Sequence, residues 1–313
     1  MSTMGPLGCI LNRDYTLESD DRVAKATGQS HLWADSQTPF HGRWKELKSR
    51  GVTSVILWPE YERASGKALK PHQQKYGTCV SRGFEMACRM SYHNALWEKT
   101  RVGIPVEFPY EIIYAGSRNY PGKGSIRNGD GSVGAWAAEW LSLYGLCVRG
   151  KYGSVDVSRN DEELARSLAR SGVKLPKELL DACALHTWAT NRCQDTDEIA
   201  DSIASRFGVA RCWDTLFGNR NSKGISRPAD TGAHCQGIIG VAVAPSGEDI
   251  FIEIQSWGEN MPSGPQKLET AGGWIDLPNA CYGVLAADYR QAMARSKWWE
   301  AHAVSIRLGN EYR

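Results

Sequence analysis

No stretch of this sequence reaches 18 consecutive apolar residues, so none reads as a membrane-spanning helix. Met1 to Asn12 lack the basic start and apolar run of a secretion signal. An excess of one charge is missing as well. The 37 basic and 35 acidic residues leave a net +2, too small a field to recruit nucleic acid or an anionic membrane. There is no internal repeat and no low-complexity tract. Gly122-Lys123-Gly124-Ser125 lacks the spacing of a phosphate-binding loop, which argues against nucleotide binding. The expected location is the cytoplasm.

What is present is ordinary in bulk and specific in detail. The chain has 313 residues, 42% hydrophobic and 23% charged, ample for one large domain or two lobes. Its nine cysteines are odd in number and irregularly spaced, which points to buried free thiols rather than a disulfide framework. Cys183-x2-His186 with Cys193 lacks a fourth zinc ligand. Asn128, Asp130, Ser132, Gly134 and Glu139 fall at calcium-loop offsets, but Val133 stands where the turn glycine belongs and Trp136 at a ligand position. Neither metal nor cofactor is expected. Twelve tryptophans suggest large packed interfaces or substrate walls.

The first half reads as helical. Val80, Phe84, Ala87, Cys88 and Ala95 form one stripe over 79–99. Further helices are expected over 135–144 (stopped by Gly145), 161–171, 176–189 and 195–206, with a Gly-rich loop over 115–134. The second half turns to strands. Residues 236–244 and 249–257 flank Pro245-Ser246-Gly247-Glu248 as a hairpin, and 274–286 is another strand-like run. Residues 288–303 read as a terminal helix carrying Trp298 and Trp299. Helices first and strands later make an α+β class.

Three distant stretches carry chemistry. Gln73-Gln74-Lys75-Tyr76-Gly77-Thr78-Cys79 runs into the first of these helices, Thr231-Gly232-Ala233-His234 precedes the hairpin, and Gln255-Ser256-Trp257-Gly258 closes it. A thiol at a helix N-terminus meets unpaired N–H groups and a positive dipole end, which lower its pKa. The Cys79 N–H and the Gln73 amide could donate to an oxyanion, and His234 could take and return the proton. Gln255 could orient the imidazole. A hairpin turn centred near Gly247 instead sets His234 opposite Glu259, absent a bulge, so Glu259 and Asn260 stand as substitutes. A buried inert cysteine and a structural histidine remain the alternatives for either residue alone.

Together the stretches resemble the papain family of cysteine peptidases. Gln73 to Cys79 matches that family's Gln-x5-Cys pattern, with Gly77-Thr78-Cys79 where it has Gly-Ser-Cys. Asp130-Gly131-Ser132, with Ala137 and Tyr144-Gly145-Leu146, looks like its Asn-Gly-Gly loop and following helix, and Glu198 to Val209 like its passage into the second lobe. His234 matches the family histidine, and Ile254-Gln255-Ser256-Trp257-Gly258 stands where it has Lys-Asn-Ser-Trp-Gly. The resemblance covers about residues 68–290.

It implies a two-lobed fold: a helical lobe over 68–207 and an antiparallel, β-barrel-like lobe over 208–290, with an active-site cleft between. Residues 1–67 would be an N-terminal extension and 291–313 a C-terminal helix and tail. It implies Cys79 as nucleophile, His234 as acid–base, Gln255 as orienter and Gln73 as oxyanion donor. Gly131, Ser132 and Trp257 would contact a peptide or protein substrate. The chain departs from the pattern at Gln255, one methylene longer than Asn, and at Val80, where the family has Trp. Residues 1–67 do not look like the family's inhibitory propeptide. The alternative expectation is a weak or inactive copy of the fold, serving as a subunit of a homo- or hetero-oligomeric assembly such as a virus particle.

Overall fold

The computed structural model describes residues 8–35, 40–98, 103–127, 129–259 and 262–306. Its helices are α1 (Arg13–Thr27), α2 (Arg43–Ser49), α3 (Trp58–Ser65), α4 (Cys79–Trp97), α5 (Tyr110–Asn119), α6 (Gly134–Leu143), α7 (Glu162–Leu168), α8 (Lys177–Ala184), α9 (Thr196–Ala204) and α10 (Ala286–Arg295). Its strands are β1 (Ser54–Ile56), β2 (Lys151–Tyr152), β3 (Val155–Asp156), β4 (Trp188–Cys193), β5 (Gly208–Phe217), β6 (Pro228–Val243), β7 (Asp249–Ile254), β8 (Lys267–Thr270), β9 (Gly273–Asp276), β10 (Cys281–Leu285) and β11 (Glu300–Ile306).

Helix α4 is the axle of the molecule. Every residue from Cys79 to Asn94 is buried, so the expected single apolar stripe is too narrow. Apolar side chains cover both sides, against α3 and α5 on one and β5, β6 and β11 on the other. The charged residues it buries are paired. Glu85 and Arg89 meet at 2.5 Å, and Arg82 reaches Glu162 at 2.5 Å. A buried charge without such a partner costs several kcal/mol.

The sheet runs β10-β7-β6-β5-β11-β4, all antiparallel, with β1 also paired to β6. Among the described residues it does not close, so the β-rich part is an open sheet rather than a barrel. Two apolar cores lie on its two faces. One gathers α9, α10 and the inner face of β5–β7 around Trp213, Phe251 and Tyr289. The other surrounds α4, α5 and α6 and includes Phe84, Trp140 and Trp188. Inside the first core, Arg211 and Glu253 form a fully buried pair at 2.8 and 2.5 Å, with Tyr282 and Tyr289 also donating to Glu253.

Two expected helices are shorter than their sequences suggest. The helix expected over 176–189 stops at Ala184, and Trp188–Cys193 is strand β4. The terminal helix stops at Arg295, Trp298 and Trp299 lie in the connection, and Glu300–Ile306 becomes β11. Strand β11 lies between β4 and β5, so both of its backbone edges find partners. That pairing outweighs the helix propensity of its alanines. The loop expected over 115–134 is helical through Asn119. In the N-terminal part, β1 pairs with β6 and joins the first core through Val55 and Ile56, while α1 packs on α6, with Tyr15 against Trp136.

Candidate active site

The loop that leads into α4 is zipped to the residues after β7. Gln73 bridges Trp257, the Gln74 N–H donates to the Ser256 carbonyl at 2.9 Å, and Ser256 Oγ donates to Gln74 Oε1 at 2.5 Å. The Gly258 N–H returns to the His72 carbonyl at 3.2 Å. On the other side Glu162 gathers the same loop. Its carboxylate accepts from the N–H groups of Lys75 and Tyr76 at 2.6 and 3.2 Å and from Thr78 Oγ1 at 3.3 Å. Nothing near Cys79 in the sequence signals Glu162; only the fold brings it there.

Cys79 is the first residue of α4, so its N–H has no acceptor within the helix. The expectation that the helix tip would lower the thiol pKa does not hold in this state. Cys79 is fully buried, and burial, reinforced by the neighbouring Cys9 and Cys235, pushes it well above the ordinary thiol value. The backbone N–H groups of Cys235 and Gly8 face the sulfur and pull the other way without offsetting that penalty.

His234 lies on β6, opposite Trp213 of β5. A bulge at Ile239 shifts the β6–β7 register, so that Gly237 pairs with Ile254. Continued outward, that register sets His234 level with Trp257, between the two alternatives of Gln255 and Glu259. The two rings stack, with centroids 4.3 Å apart and planes 24° from parallel. His234 is fully buried, and burial together with the Arg211 charge holds its pKa down to about 3. Neither ring nitrogen has a hydrogen-bond partner. Gln255 is buried one residue beyond β7, and its amide makes no contact with either nitrogen. Glu259 is exposed, and Asn260 lies outside the described residues.

The remaining expected residues meet the N-terminal segment. Cys9 pairs with Ser132 in a parallel bridge, in which the Ile10 N–H donates to the Ser132 carbonyl at 2.8 Å and the Ser132 N–H to the Gly8 carbonyl at 2.9 Å. Gly131 takes a φ of +98°, and a Cβ there would stand 2.6 Å from the Gly8 carbonyl oxygen. A Cβ at Gly8 would stand 2.1 Å from the Gly77 carbonyl oxygen. Backbone thus crosses backbone here at closest approach. Ser132 Oγ is turned inward to Ser117 Oγ at 2.8 Å, so this residue presents its main chain rather than its hydroxyl.

The structure therefore brings Gln73, Gln255, Trp257 and His234 to one end of the sheet. It sets Cys79 against Cys235, the neighbour of His234, with Gly131 and Ser132 beside Gly8 to Ile10. It does not form the His234–Gln255 contact. Besides Glu162, the sequence reading missed Cys9 and Cys235, whose only sequence signal is that Cys235 adjoins His234. Among the described residues, no cluster of His, Cys, Asp and Glu is arranged to hold a metal, and no helix is long and apolar enough to cross a membrane.

No family model matches the chain, and no curated protein matches it. Solved structures do. Xylellain, a cysteine protease from Xylella fastidiosa, is 12% identical over 97% of this chain and 98% of its own, with a TM-score of 0.58. Procathepsin B from Trypanosoma congolense is 8% identical over 95% and 99%, with a TM-score of 0.46. The bromelain protease from Ananas comosus is 12% identical over 82% and 100%, with a TM-score of 0.44. The chain has the papain-like fold.

Proposed function

We propose that this protein is a cysteine peptidase in which Cys79 attacks a peptide carbonyl. The Cys79 N–H and the Gln73 amide take the oxyanion. His234 protonates the leaving amine and then activates water to release the acyl group, and Gln255 orients the imidazole. Gly131 and the main chain of Ser132 hold the substrate backbone, and Trp257 shields the imidazole from water.

One observation carries the reading. The segment bearing the thiol and the segment bearing the amide and indole are hydrogen-bonded to each other, and the indole lies on the imidazole. Residues 256 to 258 would have no need to pair with His72 to Gln74, on the approach to α4, if they served only the sheet. The neutral, buried Cys79 and His234 describe a closed state, with Gly8 to Ile10 on the Gly131–Ser132 edge. On this reading those residues leave before substrate arrives. The thiol then meets water and the helix dipole, and an ion pair with the imidazole becomes affordable.

The test is hydrolysis of a fluorogenic peptide pool, together with labelling by a thiol-directed epoxide. Cys79→Ala is expected to abolish both. Hydrolysis undiminished in that variant removes the assignment.

A further inference from the structure

Beside the Gly131–Ser132 edge lies a cavity of about 410 Å³, walled by α5, the loop after it and the end of α7. Four guanidinium groups, from Arg118, Arg127, Arg166 and Arg170, face two carboxylates, Asp130 and Glu163. The local excess of two positive charges equals the net charge of the whole chain.

The cavity is built rather than incidental. Arg118 is 4% exposed. It donates to Tyr114 Oη at 2.6 Å and to the carbonyls of Gly131, Arg127 and Gly129 at 3.1, 3.0 and 2.6 Å. Its Nε, also buried, has no partner. One buried cation thus fixes the loop that continues into the substrate edge. Arg166 lies over the Tyr76 ring at 4.1 Å, three residues before the nucleophile, and reaches Asp130 and Glu163 only at 3.7 and 3.9 Å. Arg127 and Arg170 are exposed and have no ion-pair partner among the described residues.

We propose that this cavity receives an acidic side chain of the peptide substrate, which makes the enzyme selective for acidic peptides. The inference rests on the peptidase reading for its substrate, and on the cavity alone for its charge. The edge already binds extended main chain, as Gly8 to Ile10 show, so a peptide in their place carries its side chains past Asp130 into the cavity. Guanidinium groups recognise carboxylate through paired hydrogen bonds in a fixed plane, and two of the four have no carboxylate partner among the described residues.

The experiment has two arms on the full chain. In the first, the anisotropy of fluorescent tetraglutamate and tetraglutamine peptides is read with Cys79→Ala protein at low and high salt. Tetraglutamate is expected to bind at least about tenfold more tightly, with the difference shrinking in salt and vanishing in R127Q/R170Q. In the second arm, glutamate is scanned through each position of cleavable peptides. One position, on the side of the scissile bond that crosses Gly131, is expected to raise kcat/KM by a similar factor, and R127Q/R170Q to erase that preference. Equal binding of the two tetrapeptides overturns the proposal, as does a glutamate preference that survives R127Q/R170Q. A chain that binds tetraglutamate through these arginines yet cuts no peptide keeps the anion cavity and loses the peptidase. A chain that cuts peptides without regard to glutamate does the reverse.

Discussion

His234 spends the folded state neutral. Its pKa of about 3 lies far below the ordinary imidazole value of 6.5, and burial does most of that work. The unfolded chain takes up a proton at this residue as pH falls through 6.5, while the folded chain does so only near 3. Unfolding therefore gains protons across that window, and stability drops as pH falls through it. His31, His72 and His93 are pushed down by burial as well and add to the same slope. The melting temperature should fall between about pH 6.5 and 4, and less steeply in His234→Gln; equal slopes in the two proteins would place the effect elsewhere. Arg211 is a second residue with a measurable stake. Its only carboxylate partner among the described residues is Glu253, and both are fully buried. Arg211→Met strands that carboxylate and should cost about 3–5 kcal/mol in denaturant unfolding, part of which Arg211→Met with Glu253→Gln restores.

At the scale of the element, the segment 8–10 and the loop 73–78 decide whether the thiol is reachable. Gly8→Val would drive a side chain into the Gly77 carbonyl, so the segment must lift from Ser132. Iodoacetamide should then label Cys79 at least about tenfold faster than in the parent chain; an unchanged rate would mean that other residues shield the sulfur. Glu162→Ala frees the N–H groups of Lys75 and Tyr76, strips the buried Arg82 of its carboxylate and should lower kcat/KM about tenfold, while Glu162→Gln, which keeps an acceptor oxygen but not the charge, should recover only part of it. These elements differ in how far the sequence disclosed them. Helix α4 and the β6–β7 hairpin were legible because their signals are local: a periodic stripe, and β-branched runs about Pro245 to Glu248. The register of that hairpin was not legible, because the bulge at Ile239 leaves no mark in residue type. Glu162, Cys9 and the segment 8–10 act on residues some 70 or more positions away, and no spacing rule reaches so far.

At the scale of the molecule, the last strand holds the sheet together. Strand β11 joins β4 to β5, so a chain ending at Ser296 would leave two edges bare in the interior. It should bind 8-anilinonaphthalene-1-sulfonate and show no cooperative unfolding transition, where the full chain shows one. The overall fold was readable from the order of motifs. Whether the antiparallel sheet curls shut has no local signal, because it depends on which strands meet, and one of them, β11, begins inside the helix expected over 288–303. The first helix docks mainly through polar groups, with Tyr15 packed on Trp136 as its apolar contact. Its buried residues are Thr16, Ser19 and Val23. Thr16 and Ser19 donate to Glu300 and Glu139 at 2.7 and 2.6 Å, and Arg22 grips Glu139 with two contacts of 2.8 Å. Peeling α1 away would thus uncover chiefly carboxylates that water can wet at once, together with one face of Trp136. The seat of the helix itself is therefore mostly hydrophilic, and the apolar part of the scar is confined to Trp136 and its neighbours.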